Sequence, residues 1–137
     1  MTENNSYKEY TDFIMDKTVT LLGIDSPTGY TENAAAWVKN EFEALGFHAH
    51  ITGKGGILIE LGGEDKEDGL FLEAHTDTRG AMVASIKSNG SLLVTPLGGM
   101  NANNDETENV RIITKFDVDY EGTLQLENAS IHVNGEY

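Results

Sequence analysis

A short apolar run, Leu70 to Ala74, enters from Gly69 and ends in the triplet His75-Thr-Asp77, with Gly80 closing the stretch. A run of this kind, bounded by turn residues, predicts a buried strand. In open α/β sheets, ligands sit beyond the carboxyl ends of the strands. His75 and Asp77 therefore stand where such a fold does chemistry. An imidazole binds a metal through one nitrogen while a carboxylate orients it through the other. The competing reading is a His and an Asp in a solvated loop, because His-X-Asp is short and common.

A chain of 137 residues is long enough for one ordinary domain or two small ones. Hydrophobic residues make up 39% of it, which supports a packed core rather than wholesale disorder. The formal net charge of -14 argues against nucleic acid and against anionic membrane surfaces as partners, since phosphate binding needs Lys and Arg. The same charge serves solubility and draws in cations. There is no cysteine, which excludes disulfides, thiolate catalysis and Cys-based zinc sites. The first residues have neither a basic start nor an apolar core, so they do not read as a signal peptide. No apolar run approaches the roughly 20 residues of a membrane span. A cytoplasmic location is the expectation.

Tyr10, Phe13, Ile14, Val19, Leu21 and Leu22 predict a helix over 7–22 that stops at Gly23. Asp25-Ser-Pro-Thr-Gly29-Tyr30 reads as a loop. Thr31 or a neighbour then caps a second helix to about Leu45, with Ala34, Ala35, Val38, Phe42 and Leu45 at helical spacing and Gly46 behind it. Strands are predicted over Phe47–Ile51, Ile57–Leu61 and Leu70–Ala74. From Gly80 on, nothing reads as helical. Ala81–Ile86 and Leu92–Thr95 flank an Asn89-Gly90 hairpin signal, and Pro96 to Gly99 reads as a break. Val110–Lys115, Tyr120–Leu126 and Ser130–Val133 read as further short strands. Close-spaced strands suggest a small barrel or sandwich, with a boundary near residues 78–80.

His48 and His50 share a face of their predicted strand and could hold zinc, though an edge strand with a polar face explains them equally. His132 reads as a packed or surface residue. The glycines form no phosphate loop. Ser26 lacks the setting of a nucleophile elbow, and Asp25-Ser-Pro reads as turn chemistry. The acidic loop Glu64 to Asp68 does not match an EF-hand and reads as solvated.

Taken in order, several segments carry a resemblance. They are Ser26-Pro-Thr-Gly-Tyr30, Leu45-Gly46, Gly55-Gly-Ile-Leu-Ile59, Leu72-Glu-Ala-His-Thr-Asp77, Gly80-Ala-Met-Val83, Thr95-Pro-Leu-Gly-Gly99, Tyr120-Glu-Gly-Thr-Leu-Gln-Leu126 and Ala129-Ser-Ile-His-Val-Asn-Gly135. The chain resembles the amino-terminal part of the tetrahedral aminopeptidase family, which includes glutamyl and deblocking aminopeptidases and also carries the label endoglucanase M. The resemblance implies an α/β fold. Residues 1–78 would form the amino-terminal part of a two-metal exopeptidase core (helix-helix-strand-strand-strand). Residues 79–137 would start an inserted, barrel-like all-β domain that mediates self-association.

The resemblance further implies metal-dependent hydrolysis at the amino end of peptide substrates, with two divalent ions, zinc or cobalt. His75 falls on a metal ligand, and Asp77 on the carboxylate that orients it. The family commonly places a glutamate after His-X-Asp, where this chain has Thr78. The family's bridging aspartate, general-base glutamate and remaining ligands lie further along than this chain reaches. An incomplete site, without tight metal and inactive alone, is therefore expected. The alternatives are a non-catalytic assembly or binding module, and an enzyme whose missing ligands come from a second chain.

Overall fold

The computed structural model describes residues 3–65, 67–127 and 132, with side chains from residue 7 on. The chain divides into two compact units, Met1–Gly98 and Gly99–Tyr137. The first unit runs α1 (Glu3–Leu22), α2 (Glu32–Ala44), β1 (His48–Ile51), β2 (Ile57–Glu60), β3 (Gly80–Ile86) and β4 (Leu92–Leu97). The second holds α3 (Ala102–Asp105), β5 (Asn109–Ile113) and β6 (Asp119–Thr123). Among the described residues, the sheets are three separate antiparallel pairs, β1–β2, β3–β4 and β5–β6. Among the described residues, no helix is long and apolar enough to cross a membrane.

The core of the first unit is built on small side chains. Ala34 and Ala35 of α2 and Ala49 of β1 are its buried apolar residues. Alanines favour the helix and let its backbone approach the β1–β2 hairpin closely. The turn out of α2 is set locally. Gly46, at φ 90, donates its N–H to the Glu43 carbonyl, and Phe47 donates to that of Phe42. These two bonds make a Schellman motif, and its apolar contact is the edge-to-face pair Phe42–Phe47, with centroids 6.1 Å apart. α1 lies against α2 more lightly. Lys17 Nζ pairs with Glu41 at 2.7 Å, while Tyr10, Phe13, Ile14 and Val19 stay exposed.

All three hairpins close on the same three-residue loop. In each, the third loop residue is left-handed: Gly55, Gly90 and Asp117. The flanking residues exchange a backbone bond, such as Lys87 N–H to the Ser91 carbonyl at 2.8 Å. This is the turn-plus-bulge connection that follows the right-handed strand twist.

Four expectations change. Leu70–Ala74 is not a strand. No described strand lies beside it, and Leu70, Phe71 and Leu72 are 87%, 72% and 70% exposed. An apolar run becomes a buried strand only when a ladder partner and a covering layer are present. Pro96 does not break the hairpin. β4 runs through it, paired with Ala81, because a two-stranded sheet has open edges where a missing N–H is tolerated. The segment after Gly80 does contain a helical turn, α3, started by Asn101, whose side chain accepts from the Asn103 N–H. Finally, β6 ends at Thr123, short of the predicted Leu126. Of the predicted strand Ser130–Val133, only His132 is described, exposed and in a turn; the rest lies outside the described residues.

The fully buried polar residue of the first unit is Ser26, 1% exposed. Its hydroxyl donates to the Thr76 carbonyl at 2.8 Å, and its own carbonyl accepts from the Thr78 N–H at 2.8 Å. Ser26→Ala removes a donor and leaves that carbonyl without its partner. It should lower the unfolding free energy by about 1–3 kcal/mol, read from urea unfolding. An unchanged midpoint would mean that water satisfies the Thr76 carbonyl.

Candidate active site

The site is assembled from two segments about fifty residues apart. Residues 26–28 run parallel to residues 76–78, joined by the bridge of Pro27 to Thr78 and the two Ser26 bonds. Pro27 then turns the chain: Tyr30 N–H donates to the Pro27 carbonyl at 2.8 Å, with Gly29 at φ 90 in the third turn position. That φ is what a type II turn requires there, and it suits glycine. The turn leaves Thr28 exposed beside Asp77. Gly80 makes room for the whole arrangement, because a Cβ there would meet the Pro27 Cβ at 2.7 Å.

His75 and Asp77 come together as the sequence predicts. His75 Nδ1 lies 3.1 Å from Asp77 Oδ1 and 3.1 Å from the Asp77 carbonyl oxygen. Both are acceptors, so Nδ1 carries the proton and donates. The Nε2 lone pair is thereby left for a ligand. The His75 side chain is 86% exposed and that of Asp77 42%. The other Asp77 oxygen, Oδ2, accepts from the Thr28 hydroxyl at 2.8 Å.

The Thr28 hydrogen bond is the main cause holding the Asp77 carboxyl below its ordinary value of 3.8, with the His75 hydrogen bond and charge adding to it. Asp77 is therefore ionised at neutral pH. A depressed carboxyl contributes stability that is complete above 3.8 and is lost as the pH falls through the lower folded-state value. Thr28→Val should move the Asp77 titration back up toward 3.8, read from its carboxyl carbon by NMR. An unmoved titration would assign the depression to His75 instead.

This arrangement suits a metal ion in one respect: a neutral imidazole with Nδ1 held by a carboxylate is the usual form of a histidine ligand. It supplies a single ligand, and catalytic zinc takes about three from protein. Among the described residues, no three His, Cys, Asp or Glu side chains gather to hold a metal. His48 and His50 stand exposed on one face of β1, opposite buried Ala49, with Glu60 paired across from His48. Glu64, Asp65, Glu67 and Asp68 are exposed, and the Asp65 carboxylate accepts from the Glu67 N–H at 2.8 Å.

The residues that sequence reasoning missed are Ser26 and Thr28. Both lie in a Ser-Pro-Thr-Gly stretch that reads as an ordinary turn. Their signals are that two hydroxyls flank the proline and that Ser26-Pro-Thr-Gly-Tyr30 is among the segments carrying the resemblance.

The chain is similar to known proteins. The family model for M42 glutamyl aminopeptidase matches residues 55–136, more than half of the chain. "Putative aminopeptidase YhfE" of Bacillus subtilis (strain 168) is 34% identical over 113 residues, which is 82% of this chain and 33% of that protein. The "Glutamyl aminopeptidase" of Lactococcus lactis subsp. cremoris (strain MG1363) is 32% identical over 89 residues, 64% of this chain and 25% of that protein. The chain thus spans a third or less of these relatives. The matched region includes the His75–Asp77 pair and the Gly80 that accommodates it, and on that match the chain belongs to the M42 glutamyl aminopeptidase family.

Proposed function

We propose that this chain supplies the amino-terminal part of a metal-dependent aminopeptidase, with His75 as a metal ligand through Nε2 and Asp77 as the carboxylate that orients it. The observation that carries the reading is the 3.1 Å hydrogen bond from His75 Nδ1 to Asp77, which leaves Nε2 as the open nitrogen. Family membership supports peptide hydrolysis at the amino terminus as the reaction. When bound, a pair of divalent ions, zinc or cobalt, polarises the scissile carbonyl and activates a water. The role of this chain is narrower. His75 holds one ion, the Asp77 carboxylate keeps the imidazole proton on Nδ1, and the Ser26–Thr28 loop anchors the segment that carries both.

On the same reading, residues 1–78 belong to the peptidase core, and residues 79–137 begin a mainly β domain through which copies of the protein assemble. The enzyme acts on peptides in the cytoplasm. With one ligand among its described residues, the chain is inactive by itself.

The test is hydrolysis of amino-acid anilides by the purified chain with added zinc or cobalt, run with a chelator control. The chain alone should give no turnover. Adding the carboxyl-terminal two-thirds of a relative should create chelator-sensitive turnover. Chelator-sensitive turnover by the chain alone would overturn the incomplete-site reading, and no turnover in the mixture would count against the aminopeptidase assignment.

A further inference from the structure

We propose that Thr28 is a positioning residue for His75, acting through Asp77. The inference rests on the reading of His75 as a metal ligand. A carboxylate bonded through one oxygen can still swing about its Cα–Cβ and Cβ–Cγ bonds. Here both oxygens are engaged: Oδ1 by His75 Nδ1 at 3.1 Å, and Oδ2 by the Thr28 hydroxyl at 2.8 Å. Two fixed oxygens set the plane of the carboxylate, and that plane sets the direction in which the imidazole presents Nε2.

Thr28 can do this because its own position is over-determined. Its loop is tied to residues 76 and 78 by the two Ser26 bonds, and Pro27 sits where only glycine fits at residue 80. Its branched Cβ restricts χ1, so the hydroxyl is held toward Asp77 rather than swinging among three rotamers. The Thr28 side chain is exposed, so core packing does not account for it. The bond spans 49 residues of sequence, which makes it a product of the fold rather than of a local turn.

The test compares Thr28→Val, which keeps the shape and loses the donor, with Thr28→Ser, which keeps the donor. The 137-residue chain is used at neutral pH. The readouts are the Asp77 side-chain rotamer, from three-bond couplings, and the His75 ring-nitrogen shifts as Zn²⁺ is added. Unfolding curves are recorded alongside. Thr28→Val should average the Asp77 rotamer while lowering the unfolding midpoint only slightly, and Thr28→Ser should retain a single rotamer. The Zn²⁺ response at His75 Nε2 should need about 10–100-fold more metal in Thr28→Val. An unaveraged Asp77 in Thr28→Val, or equal averaging in Thr28→Ser, would overturn the proposal. Undiminished anilide turnover by His75→Ala in the mixture with the carboxyl-terminal part of a relative would instead remove the metal-ligand reading; the couplings still report the Thr28 contact separately.

Discussion

Gly80→Ala should lower the unfolding free energy by about 1–3 kcal/mol and pull residues 26–28 away from residues 76–78. The new Cβ would sit 2.7 Å from the Pro27 Cβ, well inside the roughly 3.5–4.0 Å at which carbons pack. Neither atom is the far end of a flexible side chain, so the backbone itself must shift. The easiest shift lifts the Ser26–Thr28 loop and breaks the Ser26 bonds to Thr76 and Thr78. Urea unfolding measures the loss. Pro27→Gly combined with Gly80→Ala isolates the cause, because it removes the opposing Cβ. The pair should then show a favourable coupling of about 0.5–3 kcal/mol. Strict additivity would show that the contact with Pro27 is not what Gly80 protects.

His75→Ala should have the larger effect on function and almost none on folding. The side chain is 86% exposed, so its removal leaves no cavity. On the proposed reading, removing the imidazole takes away the metal ligand that the described residues supply. In the mixture with the carboxyl-terminal part of a relative, anilide hydrolysis should fall by more than the about 10–100-fold typical of losing a partner behind a ligand. Asp77→Asn should fall within that range, since the amide oxygen still accepts from Nδ1 but carries no charge. Equal turnover by His75→Ala and the unsubstituted mixture would refute the assignment of His75 as a ligand.

Much of the local structure was legible because its causes are local. The helical spacing of Ala34, Ala35, Val38 and Phe42 predicted α2, and Leu45-Gly46 its end. Asn89-Gly90 marked a hairpin, and β3 and β4 pair across it. His75 and Asp77 were legible as a pair because two residues of separation bring an imidazole and a carboxylate within reach on one loop. α3 was missed because one capping asparagine carries its start within a uniformly polar stretch.

Leu70–Ala74 shows the opposite case. Its composition suits a buried strand, but burial is a property of neighbours, and no described strand lies beside it. The Ser26–Thr28 loop is the other instance. As sequence it is a turn with two hydroxyls. Only when the fold brings it against residues 76–78 does Ser26 become a buried anchor and Thr28 a partner of Asp77. By itself the sequence determined α1, α2, the β3–β4 hairpin and the His75–Asp77 pair, because each depends on backbone preference or on side chains a few residues apart. The tertiary structure alone decided what holds that pair in place, because those hydrogen bonds join residues 49 and 50 positions apart that no local periodicity relates.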